Sequence, residues 1–304
     1  MEIENRRNGK PLPGLTRNLV TFISEEEFRR LADLVHREFG IVLKGDRRLT
    51  LHTKLSHRLG LLGLSSYSEY LDMLGENSAR GDPKARGELN ALAAEIMNNE
   101  TFFQREKNQF EAFFVFLNDI KRRKVAGGES SINIISAGCS TGEEIYSLSI
   151  LLFESALFAW GNWETGLTGI DVDKSALRKA RKALYSNNSF RLLNEEDAFV
   201  NKYFHREESG FRLKRAYKSP VKFRHGNLMD PAAFDGLEGA DAIFCRNVFI
   251  YMSDEAISNI ARNFHSCLRD EGYLFVGSTE TLIQKTDLFV PECREGIVVY
   301  RKAP

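Results

Sequence analysis

The chain has 304 residues, 42% of them hydrophobic and 28% charged, with 23 glycines against 7 prolines; this is the makeup of an ordinary globular protein and excludes disorder, collagen and fibre. Its 42 basic and 42 acidic residues cancel, so no global positive field gathers nucleic acid or anionic lipid, and a charged partner must be met by a local patch. Cys139, Cys245, Cys267 and Cys293 form no CxxC pair and have no histidines at metal-ligand spacing, which argues against zinc and against a disulfide framework. Met1 to Thr21 carries charges and prolines where a signal peptide needs an apolar core, and the richest apolar run, Leu148 to Trp160, is interrupted by Glu154. A cytoplasmic protein without a membrane anchor is expected.

The elements start after an N-terminal extension, 1–21. Ser24 with Glu27 three residues on makes a capping box, Phe28, Leu31, Val35 and Phe39 form an apolar stripe, and Gly40 ends the helix. Further helices are expected over Asp46 to Leu62, Ser65 to Leu74 and Gly87 to Met97, giving a helical domain over 22–105, followed by a linker helix over 106–128. After Gly127-Gly128 short apolar runs alternate with helical ones, the pattern of βαβ units in a doubly wound α/β sheet. The expected strands are Ile132 to Ser136, Thr165 to Ile170, Val221 to Arg224, Ala242 to Cys245 and Gly272 to Val276. Helices over Glu143 to Phe158, Lys174 to Leu184 and Asp254 to Leu268 alternate with them, and Leu288 to Pro291 with Gly296 to Arg301 reads as a closing antiparallel pair. This second domain, 129–304, is broken over 185–220 by mixed polarity and the turn Glu207-Glu208-Ser209-Gly210, read as an inserted subdomain.

The first strand runs into Ala137-Gly138-Cys139-Ser140-Thr141-Gly142-Glu143-Glu144 and then a helix. Strand, glycine turn and helix make a nucleotide site, because glycine lets backbone approach a ligand and the helix start offers open N–H groups; tight βα turns also need glycine for geometry alone. The second strand ends Gly169-Ile170-Asp171-Val172-Asp173, where an acid can accept from both ribose hydroxyls; Asp171 is read as the ligand and Asp173 as the cap of the next helix. A dinucleotide is disfavoured, since G-x-G-x-x-G is absent and Glu143-Glu144 would set two carboxylates against a pyrophosphate. A ligand with a ribose and a cationic centre suits an acid-lined pocket better, and S-adenosylmethionine has both.

The fourth strand leads through Ile243-Phe244-Cys245 to Arg246-Asn247-Val248-Phe249-Ile250-Tyr251. Together with Asn99-Glu100-Thr101-Phe102-Phe103-Gln104-Arg105, Ser140 to Ser147 and Gly169 to Asp173, this block resembles the CheR-type chemotaxis-receptor glutamate methyltransferases, over roughly Phe22 to Tyr300. Ile145 stands where many relatives have proline, and Glu100-Thr101 falls in a variable part of its block.

The resemblance implies a Rossmann-like methyltransferase sheet with helices on both faces, an all-α N-terminal domain and a small antiparallel β insertion. It implies methyl transfer from S-adenosylmethionine to glutamate carboxylates of receptors, yielding methyl esters and S-adenosylhomocysteine, with no metal. Asn99, Thr101, Arg105, Glu144, Asp171, Asn227, Leu228, Arg246 and Asn247 would contact the cofactor, beside the Gly138 turn. Arg105 would grip the cofactor's carboxylate and Tyr251 would orient the acceptor through its hydroxyl. Arg47, Lys54 and Arg58, seven and four residues apart, would present a basic face to glutamate-rich receptor methylation helices. The insertion resembles the subdomain that in some relatives captures the receptor's C-terminal tail. The rival readings are a methyltransferase of a nucleic acid or small molecule, against which the zero net charge and the lack of an Asn/Asp-Pro-Pro-Tyr segment argue, and a non-catalytic receptor-docking regulator.

Overall fold

Ser24 and Glu27 exchange hydrogen bonds at the start of α1 (Glu25–Phe39), each side chain accepting from the other's backbone N–H, and Gly40 ends the helix in the left-handed region. In the computed structural model the described residues are 20–79, 82–97, 99–155, 163–193 and 198–303; most of the expected extension, 1–21, and the end of the 148–160 apolar run lie outside them. Helices α2 (Arg48–Leu61), α3 (Tyr67–Ala79) and α4 (Pro83–Ile96) join α1 around a core that includes Leu31, Val35, Leu55, Leu59, Tyr70 and Leu92. Helix α4 starts earlier than its apolar spacing predicts, because Asp82 caps it by accepting from the Lys84 N–H (2.8 Å) and Pro83 occupies the first turn. Helix α5 (Lys107–Ala126) lays Phe110, Phe113 and Phe116 on the sheet, where Phe113 meets Phe244 and Phe275 edge-on.

The α/β part contains β1 (Ser131–Ala137), α6 (Glu143–Glu154), β2 (Glu164–Asp171) and α7 (Lys174–Lys182), then β3 (Leu184–Tyr185), α8 (Ala198–Tyr203), β4 (Phe204–Glu207), β5 (Gly210–Leu213) and α9 (Arg215–Lys218). Strands β6 (Val221–His225) and β7 (Ala240–Cys245), helix α10 (Asp254–Cys267), and strands β8 (Leu268–Val276), β9 (Phe289–Arg294) and β10 (Ile297–Lys302) complete it. The main sheet has the order β6-β2-β1-β7-β8-β10-β9. The pairs from β6 to β8 are parallel, and β10 runs antiparallel to both β8 and β9. Strand β1 pairs on one side with β2 and on the other with β7, so the strand order reverses beside it and a crevice opens beyond its carboxyl end. Strand β8 begins at Leu268, four residues before the expected Gly272, because α10 passes directly into it and a register shift between Ala240 and Ala242 accommodates the entry.

The insertion folds as a small antiparallel sheet, β3-β5-β4, over an aromatic cluster of Tyr185, Phe190, Phe204 and Phe211 that also receives Phe103. The helical layer is tied to the sheet at α1's end. Ile41 bridges Met252, the Val42 N–H donates to the Tyr251 carbonyl (2.8 Å), the Ser253 N–H to the Gly40 carbonyl (3.0 Å) and the Asn227 amide to the Glu38 carbonyl (2.7 Å). Gly40 has no alternative here, since a Cβ would stand 2.2 Å from the Ala256 Cβ. Among the described residues no helix is long and apolar enough to cross a membrane.

Candidate active site

Beyond the carboxyl ends of β1, β2 and β7 lies a cleft of about 970 Å³, open solvent at its mouth included. Asn99, Thr101, Arg105, Gly138, Glu144, Asp171, Asn227, Leu228, Arg246, Asn247 and Tyr251 all line it, although they come from five separated stretches of chain. Phe39 and Ile41 of the helical layer close one wall.

The glycine turn is held tightly against β2. The N–H groups of Gly138 and Cys139 both donate to the Ile170 carbonyl (2.8 and 3.0 Å). Gly138 has φ 76° and a Cβ there would lie 2.6 Å from Val248 Cγ2, so this floor admits no side chain. Ser140 turns left-handed, and its N–H donates to Asp171 Oδ2 (2.7 Å), while Asp171 Oδ1 accepts from the Asp173 N–H (2.8 Å). Burial pushes the Asp171 carboxyl up to about 6, with these backbone donors opposing it. Asp173 caps α7 through the Ser175 N–H (2.7 Å) and also accepts from the Asn99 amide (2.7 Å). Asn99 thereby joins the helical layer to the second strand.

Glu143 and Glu144, whose two carboxylates were set against a pyrophosphate, do not share the cleft. Successive helical residues point about 100° apart, and only Glu144 reaches the cleft. Glu143 turns toward the insertion, accepting from the Thr141 and Ser189 hydroxyls (2.6 and 2.8 Å), and burial raises its carboxyl. Glu144 accepts from the Ser136 hydroxyl (2.7 Å) and faces Arg246 Nη1 (3.3 Å); burial raises it too, with Arg246 pulling against that rise.

Arg246 is 6% exposed and sits between two carboxylates. Its Nη2 donates to the Arg105 carbonyl (2.5 Å) and lies 3.3 Å from Glu106 Oε2, its guanidinium covers the Phe110 ring, and its buried Nε has no partner among the described residues. Burial works against the charge of Glu106, yet Arg246, the Ser278 N–H and the Asn247 amide hold its carboxyl below the ordinary value. Among the described residues Arg105 donates once, to the Glu100 carbonyl (2.9 Å), and lies 5.7 Å from the Phe102 ring centre, whereas Phe103 is buried in the insertion's cluster. Tyr251 is half-buried against the helical layer, and no hydrogen bond to its hydroxyl is found among the described residues. Asn227 has both ends of its amide engaged, by the Glu38 carbonyl and the Met229 N–H, and Leu228 is buried in the core beneath the cleft.

Sequence reasoning missed Glu106, Glu280 and the Phe39–Ile41 wall. Glu106 adjoins Arg105 in a left-handed turn, and Glu280 follows β8 in a stretch that reads as loop, so neither carries a periodic signal.

The basic face is corrected in part. Arg58 is turned inward and paired with Glu88 of α4, which also accepts from the Tyr70 hydroxyl (2.8 Å), and this pairing raises the guanidinium further. Lys54 donates to the Glu95 carbonyl at the end of α4 (2.8 Å), a favourable place for a cation. Arg47 stands just before α2 with no ion pair among the described residues.

Residues 99–295 match a family model described as the S-adenosylmethionine-binding domain of CheR methyltransferase, and residues 26–96 one described as its all-alpha domain. A chemotaxis protein methyltransferase of Borreliella burgdorferi is 31% identical over 271 residues, covering 87% of this chain and 91% of that protein. Those of Salmonella typhimurium and Escherichia coli are each 32% identical over 267 residues, covering 85% of this chain and 84% and 85% of theirs. Matched by both models, and this similar to its relatives over most of its length, the chain belongs to the CheR methyltransferase family.

Proposed function

We propose that the protein is a cytoplasmic protein-glutamate O-methyltransferase, moving a methyl group from S-adenosylmethionine to glutamate side chains of chemotaxis receptors in sensory adaptation and leaving S-adenosylhomocysteine. The observation that carries this reading is the meeting, in one cleft, of the acidic floor of Asp171 and Glu144 with Arg105 and a tyrosine hydroxyl that has no hydrogen-bond partner among the described residues.

The residues fit the cofactor. Each Asp171 oxygen accepts one backbone N–H and keeps a lone pair for a ribose hydroxyl. Among the described residues one Arg105 N–H is engaged, leaving others of its fork to grip a carboxylate, and the bare Gly138 floor allows close approach. When bound, S-adenosylmethionine supplies an electrophilic methyl group on a sulfonium. The acceptor, a glutamate with an ordinary pKa of ~4.3, is already ionised at neutral pH, so no general base is required. Tyr251 donates its hydroxyl to the incoming carboxylate and fixes its line of attack, while Phe39 and Ile41 exclude water from one side. Such alignment is worth ~7–11 kcal/mol.

Incubation with radiolabelled cofactor and receptor-containing membranes should place base-labile methyl label on protein. Tyr251→Phe should lower turnover about 10-fold or more with little change in cofactor affinity, the size expected of a lost orienting hydrogen bond. Arg105→Ala should instead weaken cofactor binding. Equal turnover of Tyr251→Phe and the parent would remove Tyr251 from the mechanism.

The receptor's methylation helices are the proposed partner, approached through the basic start of α2. Arg47→Glu should slow receptor methylation severalfold at low salt, with the difference shrinking as salt rises and calorimetric cofactor binding unchanged. A rate equal to the parent's at low salt would remove Arg47 from docking. Arg58 is unsuited to this test, because reversing its charge would set it against Glu88.

A further inference from the structure

Glu280 lies outside the cleft lining, in the loop that follows β8, and among the described residues the donors to its carboxylate are all backbone. Oε2 accepts from the N–H groups of Asn247 (2.8 Å) and Gly277 (2.6 Å), and Oε1 accepts from the Ile250 N–H (3.2 Å). One side chain therefore ties the end of β8 to both ends of the turn that follows β7. Asn247 has φ 59°, a left-handed conformation that asparagine adopts more readily than other residues with a side chain, and its N–H is thereby turned to Glu280. Gly277 has no room for a side chain, since a Cβ would lie 2.6 Å from Glu280 Oε2 and 3.0 Å from Asn247 Nδ2. The residue after Ile250 is Tyr251. On its other side Tyr251 is held by the Val42 N–H at its carbonyl, so the two anchors bracket its backbone.

We propose that Glu280 is a positioning residue for methyl transfer, its carboxylate setting the Asn247–Tyr251 turn so that the Tyr251 hydroxyl meets the acceptor. This rests on the reading of Tyr251 given above. Glu280 touches neither cofactor nor acceptor and acts through the main chain of residues 247 and 250. A carboxylate suits the task because it only accepts, and all three groups facing it are donors. Glutamine keeps one acceptor. With its oxygen at the Oε2 position the bonds to Asn247 and Gly277 survive, and its NH2 then confronts the Ile250 N–H, donor against donor. Glu280→Gln thus releases the Tyr251 end of the turn while sparing the Asn247 end.

The test measures turnover, acceptor KM, S-adenosylhomocysteine affinity and thermal unfolding for the parent, Glu280→Gln, Tyr251→Phe and the double variant. Glu280→Gln is expected to lower kcat about 10- to 100-fold, the cost of a misplaced catalytic group, with S-adenosylhomocysteine affinity within about twofold of the parent's. In the Tyr251→Phe background the same substitution should do little more, because both changes remove one hydroxyl's contribution. Parent-like turnover of Glu280→Gln, fully multiplying losses in the double variant, or a loss of cofactor affinity that accounts for the whole defect would each overturn the proposal. Should Glu280→Gln not fold, Gly277→Ala, whose Cβ would press on both Glu280 Oε2 and Asn247, should lower kcat by a similar factor, with a smaller loss of S-adenosylhomocysteine affinity through Asn247. The underlying reading fails separately, if the parent does not bind S-adenosylhomocysteine or if Tyr251→Phe is as fast as the parent.

Discussion

Arg246→Ala is expected to cost the protein several kcal/mol of stability and most of its cofactor binding together. The guanidinium is all but inaccessible, lies 3.3 Å from both Glu144 and Glu106, and donates to the Arg105 carbonyl. Truncation would leave two carboxylates facing each other across a buried gap, and Glu144, already raised by burial, would lose the charge that most opposes that rise. Breaking a buried ion pair from one side costs about 3–5 kcal/mol, and a melting-temperature fall on the order of 10 °C follows for a chain of this size. Arg105, whose carbonyl is anchored by Arg246, should drift with it, which carries the damage into the cleft. Arg246→Lys should recover only part of the loss, because an ammonium cannot span two carboxylates and a carbonyl as a planar fork does. Thermal scans with calorimetry of S-adenosylhomocysteine check both halves. An alanine variant within about 1 kcal/mol of the parent would show that the triad holds nothing together.

S-adenosylhomocysteine affinity should fall as pH drops through about 6, approaching tenfold per unit below it, because the ribose hydroxyls need an ionised Asp171 as acceptor and burial has raised its carboxyl to about that value. Asp171→Asn should bind at least 10-fold more weakly at pH 7.5 and show no step in this window, which separates Asp171 from other titrating groups. The stability of the unliganded protein moves the other way. Its folded pKa lies above the unfolded one of ~3.9, so between about pH 4 and 6 the native state holds more protons and this site's contribution falls as pH rises. A parent whose affinity is flat from pH 7.5 to 5 would detach Asp171 from the ribose.

Features that depend on neighbours along the chain are legible in the order of residues alone. The Ser24–Glu27 capping box, the stop at Gly40, the Asp173 cap and the glycine turn after β1 are each written in a few consecutive residues, because helical and strand periods repeat over short spans. Acids and amides at the carboxyl ends of strands were legible for the same reason, since the topology carries strand ends to one edge. Long-range packing sets the direction in which Glu143 turns, the pairing of Arg58 with Glu88 thirty residues away, the place of Arg246 between Glu106 and Glu144, and the bonds from the turn before Tyr251 to Glu280. A buried charge settles wherever its partners can desolvate with it, and those partners arrive from distant stretches whose approach no local spacing records.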